Sequence, residues 1–203
     1  MWALVQDGTV TKTFNYAKGF VLNDTQYPAD IFTKWSKEEK EAIGVYEVIV
    51  DKTNYKDPAY YNNTDSTIAF ANNQVTESWG TATARRLVDE NAVDEDGNPV
   101  LEDGVQVINY GLKTEKKRIV KNQAAGLLAK TDWYVVKATE VADYTVPADI
   151  TTYRAAVRTK SNQMETAIDG AADVDALKTL YEYIEQADGS STRPLGEWPE
   201  EVI

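Results

Sequence analysis

The sequence predicts an α+β protein, with an antiparallel β-rich N-terminal part carrying one short helix, followed by a C-terminal helical module of about three helices. Three observations lead there. Short β-prone runs flank Asp-Gly and Asn-Asn turn signals before residue 80. Apolar residues recur at spacings of three and four after residue 113. An acidic stretch without Lys or Arg lies between the two. The expected organisation is a β-rich domain over 1–88, an acidic connection with a hairpin over 89–112, a helical module over 113–189 and an extended tail over 190–203.

Each element has a local reason. Trp2-Ala3-Leu4-Val5-Gln6 and the run from Thr9 to Phe14 flank Asp7-Gly8, a strong hairpin signal. Ser36-x-x-Glu39 is a capping box that opens a short helix to Ile43, and Gly44 stands where a left-handed C-terminal residue belongs. Val45 to Val50 returns as a strand. The polar stretch 51–63 carries Tyr55, Tyr60 and Tyr61 beside Pro58. Rigid aromatics on a loop can form a contact surface at low entropy cost, and the same rings can pack over the hairpins; the sequence leaves both open. A second hairpin joins 64–70 to 74–79 through Ala71-Asn72-Asn73.

The acidic connection holds Asp89, Glu90, Asp94, Glu95, Asp96, Glu102 and Asp103. Asp94, Asp96 and Asn98 have the opening spacing of a calcium loop. Pro99 then replaces the required glycine, and Val105 stands in place of the bidentate Glu. A hairpin turn at Asp96-Gly97-Asn98-Pro99 is the better expectation.

In the helical module, Ile119, Val120, Ala124, Leu127 and Leu128 share a face of a helix running from about Lys113 to Lys130. A second helix starts at Pro147, a favourable first-turn residue, and points Ile150, Tyr153, Val157, Met164 and Ile168 inward. A third, from about Asp173 to Gly189, buries Val174, Leu177, Leu180, Tyr181 and Ile184. The Asp169-Gly170 break makes the last two an antiparallel pair. Trp198, between Pro194 and Pro199 in the tail, docks either on the body or on a neighbour.

Composition excludes whole function classes. At 203 residues, 42% hydrophobic and 10% aromatic, with five Trp and twelve Tyr, the chain is of globular type. It contains no Cys and no His. Disulfides, thiolate nucleophiles and His-dependent triads, zinc hydrolase sites and phosphotransfer are therefore ruled out. A formal charge of −12 opposes nucleic-acid binding. Positive charge clusters only at Lys113, Lys116, Lys117, Arg118 and Lys121, which reads as a solvated helix face. No apolar run approaches the roughly 20 residues of a membrane span, so a soluble protein made in the cytoplasm, without membrane insertion, is expected. No phosphate-binding glycine loop, cofactor motif or metal-ligand set is apparent. A glycosidase needs only two carboxylates, but the Glu38-Glu39 and Glu200-Glu201 pairs sit in polar contexts, so no catalytic residue is assigned.

The most specific stretch is Leu127-Leu128-x-x-Thr131-Asp132-Trp133, a Pro-containing segment, and then Tyr153-Arg154-x-x-Val157-Arg158. Taken as a carboxylate just past a helix end, Asp132 meets the unfavourable negative end of the dipole. Arg154 or Arg158 can offset it through a bidentate contact. The expectation is that Asp132 clamps the loop 133–147 onto the next helix with Trp133 buried beneath, so that Trp133→Ala costs about 3 to 5 kcal/mol.

That stretch, over roughly 116–160, resembles the C-terminal module of tailed-phage tail assembly chaperones and tail-fibre-associated proteins. Trp2-Ala-Leu-Val with its Asp-Gly turn, Tyr27-Pro28 to Ser36, and Ala42 to Val45 are similar to N-terminal regions of marine phage structural proteins. The resemblance implies a virion structural protein of the tail or tail-fibre apparatus, an adaptor, fibre-base or decoration component. It would be made in the host cytoplasm and act through contacts with other phage tail or virion proteins and as a homo-oligomer. The alternatives are an assembly chaperone absent from the virion and, third, a polysaccharide-acting tail hydrolase.

Overall fold

In the computed structural model, which describes residues 1–202, Asp7 and Gly8 take φ of 50° and 73°, the signs that a type I′ turn demands. They close β1 (Trp2–Gln6) onto β2 (Thr9–Phe14) as expected. A hairpin not anticipated follows, β3 (Phe20–Leu22) with β4 (Thr25–Tyr27), turning on Asn23 and Asp24 at φ 47° and 60°. There are two short helices rather than one. α1 (Ile31–Lys34) precedes α2 (Lys37–Ala42). The capping box on α2 forms in full: Glu39 N–H donates to Ser36 Oγ at 3.2 Å, and Ser36 N–H to Glu39 Oε2 at 2.8 Å. Gly44 is obligatory, because its φ is 80° and a Cβ there would lie 2.4 Å from the Val5 carbonyl oxygen.

β5 (Val45–Asp51), β6 (Tyr61–Asn62), β7 (Ser66–Ala71), β8 (Gln74–Trp79) and β9 (Thr83–Ala84) complete the first run of strands. The main sheet has the order β2-β1-β5-β8-β7. Asn72 and Asn73 make the β7–β8 turn with φ of 50° and 57°. That hairpin places β8 in the gap between β5 and β7, so β5 and β8 run parallel, with Val48 opposite Val75. This is the one parallel pairing in a sheet otherwise antiparallel.

The chain divides into two compact units, Met1–Thr83 and the part from Ala84 onward. In the first unit both faces of β1 are covered, which explains its unbroken apolar run. Trp2 and Leu4 join a core of Phe14, Phe20, Ile31, Phe32 and Val45. Ala3 and Val5 face the other way, toward Val48 and Val75.

The second unit opens with β10 (Glu90–Asn91) on β13 (Ile108–Asn109) and β11 (Leu101–Glu102) on β12 (Val105–Gln106). The turn expected at 96–99 is in place but begins earlier. Asp94 Oδ1 accepts from the N–H groups of Asn98 at 2.8 Å and Asp96 at 3.0 Å, and Val93 bridges Pro99. The Asn98 amides, backbone first, hold the Asp94 carboxyl below its ordinary range. This carboxylate is spent on its own turn. The Gln106 side-chain amide donates to the carbonyls of Ala92 and Val107 at 2.8 and 2.9 Å, tying the strands together.

α3 (Leu112–Ala129), α4 (Asp132–Glu140), α5 (Ala148–Gly170) and α6 (Val174–Thr179) follow, then β14 (Ile184–Glu185) paired with β15 (Ser191–Thr192). All five residues expected inward on the second helix are buried on α5. On α3, Val120 and Ala124 are buried, but Ile119 faces out and Leu112 takes a core place instead. The third helix is far shorter than expected. Asp173 caps it, accepting from Ala176 N–H at 2.7 Å, yet it ends at Thr179, and Ile184 sits exposed in a hairpin that turns at Asp188-Gly189. The β-branched and aromatic run Tyr181-Glu182-Tyr183-Ile184 suits a strand better than a helix.

The antiparallel helical pair is α3 with α5, not α5 with α6. Lys113 at the start of α3 donates to the Asp169 carbonyl at the end of α5 at 2.8 Å, and Lys117 and Lys121 pair with Asp169 and Glu165. The basic cluster is therefore partly engaged with α5 and does not simply face solvent. Lys113 also offsets the negative end of the α5 dipole.

Candidate functional site

α3 ends at Ala129, and α4 begins at Asp132, with only Lys130 and Thr131 between them. At this joint the Leu128 carbonyl accepts the Thr131 N–H at 3.0 Å in a tightened last turn and has room for a further donor. Arg154, nearly two turns into α5, supplies a charged one. Its Nη1 donates to Leu128 O at 2.8 Å and to Thr131 Oγ1 at 2.7 Å, and its Nη2 meets Asp132 Oδ1 at 2.8 Å. Thr131 is buried and passes its own hydroxyl proton to Leu128 O at 3.0 Å. The guanidinium thus satisfies a helix end, a hydroxyl and a carboxylate at once, which its planar fork of donors allows.

The expected Asp132–Arg154 pair is present, but the surroundings differ from expectation in two ways. The segment after Asp132 is a helix, not a loop. Asp132 lies in the first turn of α4, where the dipole favours a carboxylate. Trp133 is 52% exposed and not buried beneath the clamp, because the face that α4 turns inward carries Tyr134 and Ala138. Its ring lies 3.7 Å from that of Tyr134, centroid to centroid. Arg158 reaches back to the Arg154 carbonyl at 3.5 Å and takes no part in the clamp.

Beneath the clamp, Tyr153 and Val157 of α5 pack on Ala124, with Leu127, Leu128 and Trp198 closing the cluster. Leu127, Leu128, Thr131, Asp132, Tyr153, Arg154 and Val157 therefore meet at one place. Trp198 docks on the body: its Nε1 donates to Gln123 Oε1 at 3.2 Å, and Glu201 pairs with Lys130. Burial, with the Glu201 carboxylate second and Lys130 opposing, raises the Tyr153 phenol above its ordinary pKa.

The tyrosines divide. Tyr60 and Tyr61 are each only 5% exposed, so neither forms a contact surface, and packing is their role. Tyr61 carries Lys56 Nζ at 4.3 Å over its ring. Tyr55 stays 40% exposed, edge-on to Trp79 at 5.2 Å.

Asp89 is a structural residue that the sequence reading missed. Gly111 precedes α3 and has no side chain with which to cap it. The first N–H groups of α3 are met from a distance by carbonyls, Leu112 N–H donating to Arg86 O at 2.9 Å and Lys113 N–H to Leu87 O at 3.0 Å, and Asp89 fastens this junction by accepting from Gly111 N–H at 2.8 Å and Thr114 Oγ1 at 2.9 Å. Gly111 is held so closely that a Cβ would fall 2.4 Å from the Val88 carbonyl carbon. A lone acid 22 residues before the helix leaves no local signal, although the missing cap at Gly111 was a hint.

No metal-binding group of three or more acidic residues exists among the described residues, and no described helix is long and apolar enough to cross a membrane. A hollow of about 570 Å3 in the first unit, lined by Val5, Asp7, Asn23, Thr25 and Gly44 among others, brings a single carboxylate to its wall. Comparison with protein-family models, curated proteins and solved structures finds no match to the chain.

Proposed function

We propose that this chain is a bacteriophage virion structural protein of the tail or tail-fibre apparatus, an adaptor, fibre-base or decoration component that works through contacts with other phage tail proteins. The observation that carries the reading is the convergence of the resemblance motif on one joint. Arg154, Thr131 and Asp132 are consumed in holding α3, α4 and α5 together, as befits a module that presents a surface rather than transforms a substrate. The carboxyls of Asp51, Asp94 and Asp188 are held below their ordinary range by the hydroxyl and amide of Thr53, the amides of Asn98, and the hydroxyl and amide of Ser190. None of these three carboxyls is displaced in the direction that a glycosidase acid requires.

Quantitative mass spectrometry of purified particles tests the proposal. A fixed copy-number ratio to tail subunits is the expected result. Absence from particles together with abundance in infected lysate would replace it with the assembly-chaperone reading.

A further inference from the structure

α4 is anomalous for a folded protein. It has nine residues, and none of them is buried. Isolated helices shorter than about 12 residues are marginal in water, so such an element depends on packing for its stability. Trp133, Val135, Val136 and Val141 nonetheless lie 52, 40, 51 and 47% exposed within nine positions. Trp133 and Val136, three residues apart, lie together on the outward side of α4, and adjoining exposed apolar side chains mark an interaction site more often than lone ones.

The joint makes this surface ready for use. Arg154 fixes the first turn of α4 to the ends of α3 and α5, so little further ordering is needed when a partner docks. Lys137 folds its ammonium over the Tyr144 ring at 4.3 Å and toward Trp133 at 5.8 Å. The one cation of the segment is thus drawn onto the aromatics. Glu140, one turn from Val136 on α4, remains exposed, and Asp132, one turn the other way, is shared with Arg154.

We infer that the outer face of α4, centred on Val136, is a docking surface for a different protein that offers an apolar groove or helix flanked by Lys or Arg. A second copy fits poorly. Antiparallel self-pairing about Val136 sets Asp132 against Glu140 of the other chain, and each chain carries a formal charge of −12. The proposal rests on the reading that the chain works by protein contacts and names the chemistry of the partner.

The test uses the full chain and two fluorescein-labelled synthetic amphipathic helical peptides, identical in their Leu face and carrying either Lys or Glu at the flanking positions. Fluorescence anisotropy should show the Lys peptide binding at least tenfold more tightly than the Glu peptide. Val136→Asp should weaken that binding at least tenfold with the thermal midpoint unchanged, and Glu140→Lys should reduce its salt dependence. Equal affinity for the two peptides, no binding, or indifference to Val136→Asp would overturn the inference. So would a concentration-dependent dimer in sedimentation that Val136→Asp dissolves, which would make a second copy the occupant. Absence of the chain from virions would end the virion reading and leave these binding results untouched.

Discussion

Each of the two units buries an apolar core, but the first is aromatic and the second is aliphatic with a polar joint at its edge. The first gathers Phe14, Phe20, Phe32, Trp2 and Tyr27 into one aromatic core, with ring centroids about 5 Å apart for the Phe14–Phe20 pair at 4.9 Å and the Phe14–Phe32 pair at 5.1 Å. The second buries aliphatic side chains, Leu112, Val120, Met164, Ile168 and Leu177 among them, and adds at the α3–α4–α5 joint a buried guanidinium beside the cluster of Ala124, Tyr153 and Val157. An aromatic core tolerates polar change at its edge and fails when volume is lost. A polar joint behaves in the opposite way, since each of its donors has an assigned acceptor.

The sharpest way to break this contrast is Phe14→Ala. Phe14 is fully buried, so chemical denaturation should show a loss of about 3 to 5 kcal/mol, mostly in the first unit. Next is Arg154→Ala, expected to cost about 2 kcal/mol, since it takes the charged donor from the Leu128 carbonyl and the buried Thr131 hydroxyl while Asp132 stays hydrated. Arg154→Lys should recover less than half of that, because an ammonium cannot reproduce the fork, and recovery to wild-type stability would show that charge alone matters. Asp89→Ala removes the acceptor of Gly111 N–H and of the Thr114 hydroxyl at the start of α3 and should cost about 1 kcal/mol, read as a lower thermal midpoint. Smallest is Trp133→Ala. Its exposure replaces the earlier 3 to 5 kcal/mol expectation with a change within about 0.5 kcal/mol, and a larger loss in the isolated chain would mean that Trp133 is packed after all.

The same contrast explains what could be read from the sequence. Signals confined to a few neighbouring residues translate directly: Asp7-Gly8, Asn72-Asn73, the Ser36 capping box, and the five inward positions of α5. The Asp132–Arg154 pair is present, but the premise that pointed to it, a carboxylate at the unfavourable end of a helix, does not hold, because Asp132 opens α4. That context was not legible. Trp133-Tyr134-Val135-Val136 is β-branched and aromatic, so nothing local announces the helix that Asp132 opens. Partnerships across long separations left no trace either, as with Asp89 and Gly111 or Trp198 and Gln123. α6 failed for a simpler reason, because apolar spacings of three and four continue through Tyr181 and Ile184 although the backbone has already turned.

The parallel pairing of β5 and β8 has a kinetic consequence. The β1–β2 and β7–β8 hairpins each close over a two-residue turn and can form within about 1 to 10 μs. Their union waits on strands whose paired residues, Val48 and Val75, are far apart along the chain. Stopped-flow refolding should therefore slow when Val75 is trimmed to Ala, because the search for that long-range register, more than the closure of either hairpin, sets how fast the first unit reaches its native state.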